Sequence, residues 1–303
     1  MKLKDSFHPY ALITVIFWSF SYVLTRLTLQ YFSAFSLGLL RYLAASCTLI
    51  VIMFFIKIKM PAKADWLSFL AAGAFGFFLY MITFNKGHET VTASTGSVII
   101  ATVPVITALL ARFVYHEKLT GFQWAAIGIE FLGVLVLTLM NGVFSLNAGV
   151  LWLILAALSL SIYNILQRKL TKTYSALTTS AFSIFAGTLL LCVFLPVSVR
   201  EVPKAPAIQM FYIVLLGIFP SALAYISWSK AFEKAKQTSQ VSNYMFLTPF
   251  ITSVLGYLIA DEVPDQATII GGAIIFAGVL VFYIGSRIEK DIGDNICDLK
   301  ADA

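Results

Sequence analysis

Apolar side chains in this chain come in long unbroken runs, not in the strict alternation of a barrel strand. A helix needs about 20 mostly apolar residues to cross the hydrocarbon layer of a bilayer. That template predicts ten transmembrane helices, at 9–28, 33–56, 65–86, 93–115, 121–141, 148–167, 178–198, 208–229, 238–260 and 266–287. Connections between the runs are short, so successive helices should be antiparallel neighbours. The first run lasts a full span without a small-residue cleavage site, so it reads as a retained helix and not a signal peptide.

The pattern is written twice. Residues 104–137 and 249–282 superpose without a gap at an offset of 145, with Pro104 on Pro249, Thr107 on Thr252, Glu117 on Glu262 and Gly133 on Gly278. Each copy is an apolar run opened by proline, an acidic turn, and a second run ending in Gly-Val-Leu-Val. Upstream, Tyr80 matches Tyr225, Ser94 matches Ser239 and Ser97 matches Ser242, while the first helices match only with a slipped register. Internal duplication fixes architecture. With five helices per copy, an odd number, the second copy must insert upside down. The fold class is therefore an all-α membrane protein of ten transmembrane helices as two inverted five-helix repeats, spanning 9–141 and 148–287. Such repeats place a binding site near the bilayer midplane, between halves that rock about it.

Composition supports lipid as the solvent: 59% of residues are apolar and 12% charged, where a soluble domain has about 25% charged. Basic residues then set the orientation. With the N-terminus in the cytoplasm, sixteen Lys and Arg fall on the cytoplasmic side and four (Arg26, Lys86, Arg200, Lys204) on the other, with Arg41 inside the second span. This excess places both termini in the cytoplasm, in a multi-pass protein of the cell membrane. The net charge of +6 has the same origin; no basic stripe or motif points to nucleic acid. The tail, 288–303, is charged and free of aromatics, and is expected to be a disordered cytoplasmic segment. Cys47, Cys192 and Cys297 have no metal-ligand spacing, and neither metal nor cofactor is expected.

The duplicated unit, Trp18-Ser19 in the first helix, Arg41 early in the second, and TASTGSVIIATVPVITALLARFVYHEKLTGFQ at 92–123 resemble the EamA-type drug/metabolite transporters. The resemblance runs from about residue 9 to 287. It implies a central cavity surrounded by the first, third, fourth, sixth, eighth and ninth helices, with the fifth and tenth at the periphery. It implies a transported small molecule but not which one, since such proteins carry sugars, amino acids, nucleotides and toxic cations. Asp261-Glu262-Val263-Pro264 departs from the His116-Glu117-Lys118-Leu119 of the first copy.

A helix lining a watery cavity carries its polar groups on one stripe. On that basis the candidate cavity residues are Trp18, Ser21 and Tyr22; Tyr80; Ser97; Tyr163 and Asn164; Tyr225 and Trp228; and Ser242 and Asn243. The rings can stack on an amphipathic solute or hold a cation, and the asparagines can bond an amino or carboxylate group. Serines can equally be interhelical glue, worth about 0.6 kcal/mol per bond. Pro104 and Pro249 are expected to bend their helices, each freeing a carbonyl one turn earlier, either as a tolerated kink or as a pivot that adds polar backbone to the cavity. Glu130 stands mid-span, at a cost of about 3 kcal/mol if charged; it is either a proton-coupling carboxylate or a protonated or paired group. Arg41 either counters a substrate anion or holds a helix interface.

Together these features predict a secondary transporter, and more specifically an exporter of amino acids or drug-like amphiphiles, working by alternating access. The competing classes are an intramembrane enzyme and a channel. His8, His88 and His116 lie near span ends without a partnered nucleophile or metal motif, and no charged ring or selectivity filter is evident.

Overall fold

The structure, a computed structural model, describes residues 6–56, 58–116, 121–140, 148–235, 238–278, 280–281 and 284–285. Eight helices among them are long and apolar enough to cross a membrane: α1 (His8–Thr28), α2 (Ala34–Phe55), α3 (Lys63–His88), α4 (Ala93–Tyr115), α6 (Ala148–Leu170), α7 (Ala176–Lys204), α8 (Ala207–Lys234) and α9 (Gln240–Ala260). With α5 (Gly121–Leu139) and α10 (Gln266–Gly278) they make the ten-helix, multi-pass membrane fold. Their outward faces carry bare apolar side chains, among them Phe54 (83% exposed), Phe55 (85%) and Leu67 (76%). A surface of this kind is stable only against lipid.

Several helices outrun their predicted spans. α6 continues to Leu170, α7 covers Ala176–Lys204 and α8 ends at Lys234. Hydrophobicity marks where the hydrocarbon ends, but backbone bonding carries on past it. Arg168, Lys169 and Lys234 in the last turns also suit the negative end of a helix dipole. Helix starts are fixed by local caps: Ser33, Thr92 and Ser175 accept from the backbone N–H of Ser36, Thr95 and Thr178. Remote carboxylates reinforce all three starts. Glu201 accepts from Ser33 N–H (2.9 Å), Glu262 from Ala93 N–H (2.8 Å) and Glu233 from Ala176 N–H (3.3 Å).

The chain divides into two compact units. In the larger, residues up to Leu110 and from Asn147 to Pro264, each repeat's third helix packs on the other repeat's first and second helices: α3 on α6 and α7, α8 on α1 and α2. The second-helix crossings are backbone-close. A Cβ on Gly73 of α3 would lie 2.7 Å from Gly187 N in α7, and one on Gly217 of α8 would lie 2.9 Å from Ala45 N and Arg41 O in α2. Immediately after each glycine the helix widens into a π turn, Ala74–Leu79 in α3 and Ile218–Leu223 in α8. In the smaller unit, α5 and α10 meet where Gly133 lies against Ile275 and Gly271.

The prolines act differently from the expected mid-helix kink. α4 breaks at Ala101–Thr102 and restarts at Val103; α9 tightens to a 3₁₀ turn over Asn243–Leu247 and restarts at Thr248. Pro104 and Pro249 are each the second residue of the new segment, where a missing N–H is not needed. Nor is the Met245 carbonyl left free, since it accepts from Thr248 N–H. The acidic turns open with matching backbone: His116 (φ 55) and Asp261 (φ 50) are both left-handed. Glu117, Lys118 and Leu119, and the tail at 288–303, lie outside the described residues.

The Gly217 crossing has no room to give, because its neighbours include backbone. Gly217→Ala is expected to lower stability by about 1–3 kcal/mol, read as a fall in thermal unfolding midpoint in detergent. Gly128→Ala, on a helix position with open space around it, should leave the midpoint unchanged or raise it slightly. Equal midpoints for the two variants would refute the close crossing.

Candidate functional site

The two π turns aim one set of aromatic rings into the middle of the larger unit. An extra residue in a turn rotates everything after it by about 100° relative to what precedes it. Gly217 can therefore face α2 while Tyr225 and Trp228, further along α8, face α1 and α6. The widened turn offers the Pro220 carbonyl to Trp18 Nε1 of α1 (3.1 Å), and just after it Ala224 O accepts Thr14 Oγ1 of α1 (3.1 Å). In α3, Gly76 of the π turn lies directly against the Tyr163 ring of α6. Trp18 and Tyr163 thus occupy matching places, and they stand 145 residues apart. The slipped register expected for the first helices does not hold here.

Five predicted residues, Trp18, Tyr163, Asn164, Tyr225 and Trp228, come together in this cluster, and Tyr22 and Tyr80 form a second ring group one turn further along α1 and α3. Trp18 meets Tyr225 at 5.2 Å and Trp228 at 4.9 Å between ring centroids. Tyr163 meets Tyr225 at 5.7 Å, and both meet Phe77, at 5.1 and 4.8 Å. Tyr22 and Tyr80 join through Phe84, at 5.1 and 5.4 Å. Asn164 ties three helices, its Oδ1 accepting Trp228 Nε1 (3.1 Å) and its Nδ2 donating to Thr107 Oγ1 (3.3 Å). None of Trp18, Tyr22, Tyr80, Tyr163, Tyr225 and Trp228 exceeds 8% exposure, so the rings are closed on one another. Each such ring pair contributes about 0.5–1.5 kcal/mol beyond its buried area, more than an average interhelical serine bond. The cluster is the stronger tie.

Ser97 donates to Ser94 O (2.7 Å) and Ser242 to Thr238 O (3.3 Å), each within its own helix. Ser21 is buried on α1. The side chains of Asn243 and Glu130 lie outside the described residues.

Sequence reasoning missed Tyr42 and Phe77, whose rings pack at 5.2 Å beside the cluster. It also missed two arginine clamps. Arg26, at the end of α1, pairs through Nε with Glu262 (3.2 Å) and donates from Nη1 to His88 O (2.6 Å) at the end of α3. Arg168, at the end of α6, donates to Phe232 O (2.9 Å) and Ala235 O (2.8 Å) at the end of α8. First helix of a repeat clamps third helix of the same repeat, at opposite ends of the bundle. That the two clamps lie at opposite ends reflects the inversion of the repeats. A basic residue closing each first helix was the available signal. Near the Arg168 end, Tyr174 donates to Asp65 (2.5 Å), a carboxylate contact that raises its phenol from the ordinary value. Among the described residues no group of three His, Cys, Asp or Glu is placed to hold a metal.

The profile of the EamA-like transporter family matches residues 7–139 and 147–284. An uncharacterized transporter of Bacillus subtilis, YdfC, is 29% identical over 270 residues, covering 88% of this chain and 87% of its own. A probable terminal-alkyne amino-acid exporter of Streptantibioticus cattleyicolor is 28% identical over 282 residues, 93% and 94% of the two chains. An S-adenosylmethionine uptake transporter of Rickettsia prowazekii is 27% identical over 203 residues, 67% of each. A crystal structure at 16% identity superposes with a TM-score of 0.66 over 92% of this chain and 97% of that one; this likeness concerns the fold.

Asn164→Ala leaves the Trp228 indole N–H buried and unpaired, at an expected cost of about 1–3 kcal/mol. Trp228→Phe removes the donor itself. The double variant should therefore lose less in unfolding midpoint than the sum of the singles; strict additivity would show that the bond does not tie the helices.

Proposed function

We propose a function from one premise: this chain belongs to the EamA-like transporter family. It is accordingly a secondary transporter of small molecules and not an enzyme. Beyond that, we infer an exporter of amino acids or similar amphiphiles. Its central site is Trp18, Ser21, Tyr22, Tyr80, Ser97, Tyr163, Asn164, Tyr225, Trp228, Ser242 and Asn243. The repeats 9–141 and 148–287 are its moving halves, and both termini are cytoplasmic. The observation that carries this reading is the closed aromatic cluster, fed by both repeats and flanked at its two ends by the arginine clamps. Rings of this kind can part to take an amphipathic solute and close over it. The similarity to an amino-acid exporter over nearly the whole chain supports substrate and direction.

In this reading the clamps are the two gates of alternating access, the restarts at Pro104 and Pro249 are the pivots, and Glu130 is the candidate coupling carboxylate. A second reading, uptake, is favoured by the likeness to the S-adenosylmethionine uptake transporter. Vesicles of the two orientations distinguish them.

In proteoliposomes loaded with labelled amino acids, efflux is expected to respond to a proton gradient. Tyr225→Ala and Trp228→Ala should each slow it about tenfold, the equivalent of about 1.4 kcal/mol. Wild-type rates in both variants would remove the site. Loss of the gradient response in Glu130→Gln is expected, and its persistence would remove the coupling role.

The Arg26 pair is partly buried, with side chains 29% and 13% exposed, so its loss is worth about 1 kcal/mol, roughly a fivefold population shift. With the native cysteines replaced, Tyr22→Cys should react faster with a membrane-impermeant maleimide in the Arg26→Gln background. Arg168→Gln should slow the same reaction. No change in either variant would show that the clamps are not gates.

A further inference from the structure

Among the described residues Arg41 is the one buried lysine or arginine. It stands seven residues into α2, about 10 Å along the helix from its start, and is 2% exposed. Among the described residues, the ion pairs are Arg26–Glu262, Lys86–Glu89 and Lys230–Glu233; none includes it. Its Nε donates to Ser221 Oγ at 2.7 Å, and its Nη1 is buried with no hydrogen-bond partner. A guanidinium has five N–H donors, and one bond to a hydroxyl does not offset its removal from water. A purely structural arginine at this place should have found a carboxylate or several carbonyls.

The surroundings say where its free edge sits. Ser221 belongs to the π turn of α8, four residues before Tyr225. The guanidinium lies 5.9 Å from the centroid of the Tyr42 ring, which itself packs at 5.2 Å on Phe77 of the cluster. Arg41 therefore borders the aromatic cluster, with Nε tethered and Nη1 unspent. In the matching place of α3 stands Gly76, occupied by the Tyr163 ring, so the second repeat alone supplies this tether.

We propose that Arg41, held by Ser221, is the anion subsite of the transport path and takes the single carboxylate of a transported solute; this rests on the transport reading above. The Nη edge of a guanidinium meets a carboxylate through two parallel hydrogen bonds. One positive charge neutralises one carboxylate, whereas a phosphate dianion would leave a net negative charge in an apolar interior. With the carboxylate on Arg41, the rest of the solute lies among the tyrosine and tryptophan rings, which suit an apolar body or an ammonium group. An α-amino acid has both parts.

The test is binding to the full chain in nanodiscs, read by tryptophan fluorescence. The probes are the twenty L-amino acids, the corresponding amino-acid amides, and benzoate and hexanoate as carboxylates without an amine. At least one acid is expected to bind about ten- to a hundredfold more tightly than its amide, the range of one or two charged hydrogen bonds. Arg41→Gln should abolish that preference, Arg41→Lys should keep a weaker one, and Ser221→Ala should reduce it. Amino acids that bind with no acid–amide preference, or a preference surviving Arg41→Gln, would overturn the subsite while leaving amino-acid transport standing. Arg41-dependent binding of benzoate or hexanoate alone would uphold the subsite and overturn the amino-acid reading. No binding by any carboxylate would overturn both. If Arg41→Gln does not fold, the wild-type preference and Arg41→Lys decide the matter.

Discussion

The structure depends on crossings where one helix lies on another's backbone. Gly73 on α7 and Gly217 on α2 are the closest approaches between each repeat's third helix and the other repeat's second helix. In lipid there is no hydrophobic drive to hold apolar helices together, so close packing has to do it, and small residues permit it. A helix pressed to its neighbour on one face cannot also present an unrelated face to the centre unless its phase changes. The π turn directly after each glycine makes that change. The contact face and the functional face of α3 and α8 are thereby uncoupled within a single helix.

On that symmetric frame the chemistry is asymmetric. Position by position, Gly76 corresponds to Ser221 and Trp18 to Tyr163. The π turn of α3 is filled by a ring, and the π turn of α8 holds a hydroxyl bonded to Arg41. One repeat therefore contributes mainly shape, while the other presents a polar tether. The indole of Trp18 bonds to a π-turn carbonyl and that of Trp228 to Asn164, so neither buried N–H is left unpaired.

How much of this was legible follows from what each feature looks like in one dimension. Ten spans and a duplication are written in composition and spacing, and Trp18, Tyr163, Asn164, Tyr225 and Trp228 stood out as polar or amphipathic groups in apolar runs. The π turns were not legible: AFGFFL and IFPSAL share little beyond bulk, and an extra residue per turn leaves no mark on hydropathy. A hydroxyl on a stripe looks the same in sequence whether or not it also bonds a carbonyl one turn back, as those of Ser97 and Ser242 do. Pro104 and Pro249 were read as interior kinks because a sequence does not show that a helix has stopped one turn earlier. The left-handed His116 and Asp261 had a signal, a His or Asp where an apolar run ends, that helical periodicity passes over.

Glu262 shows how one such turn ties local structure to a possible motion. The left-handed Asp261 ends α9 and turns the chain so that Glu262 N–H bonds back to Gly256 O. That sends the carboxylate to two partners at once, Arg26 on α1 and the first N–H of α4. Separating α1 from α9 would therefore break an ion pair without removing the cap of α4, because the second oxygen serves it independently. If the Arg26 clamp is a gate, as proposed above, opening it gives up this pair and leaves the start of α4 intact. A cap that depended on Arg26 would have made opening and local unfolding the same event.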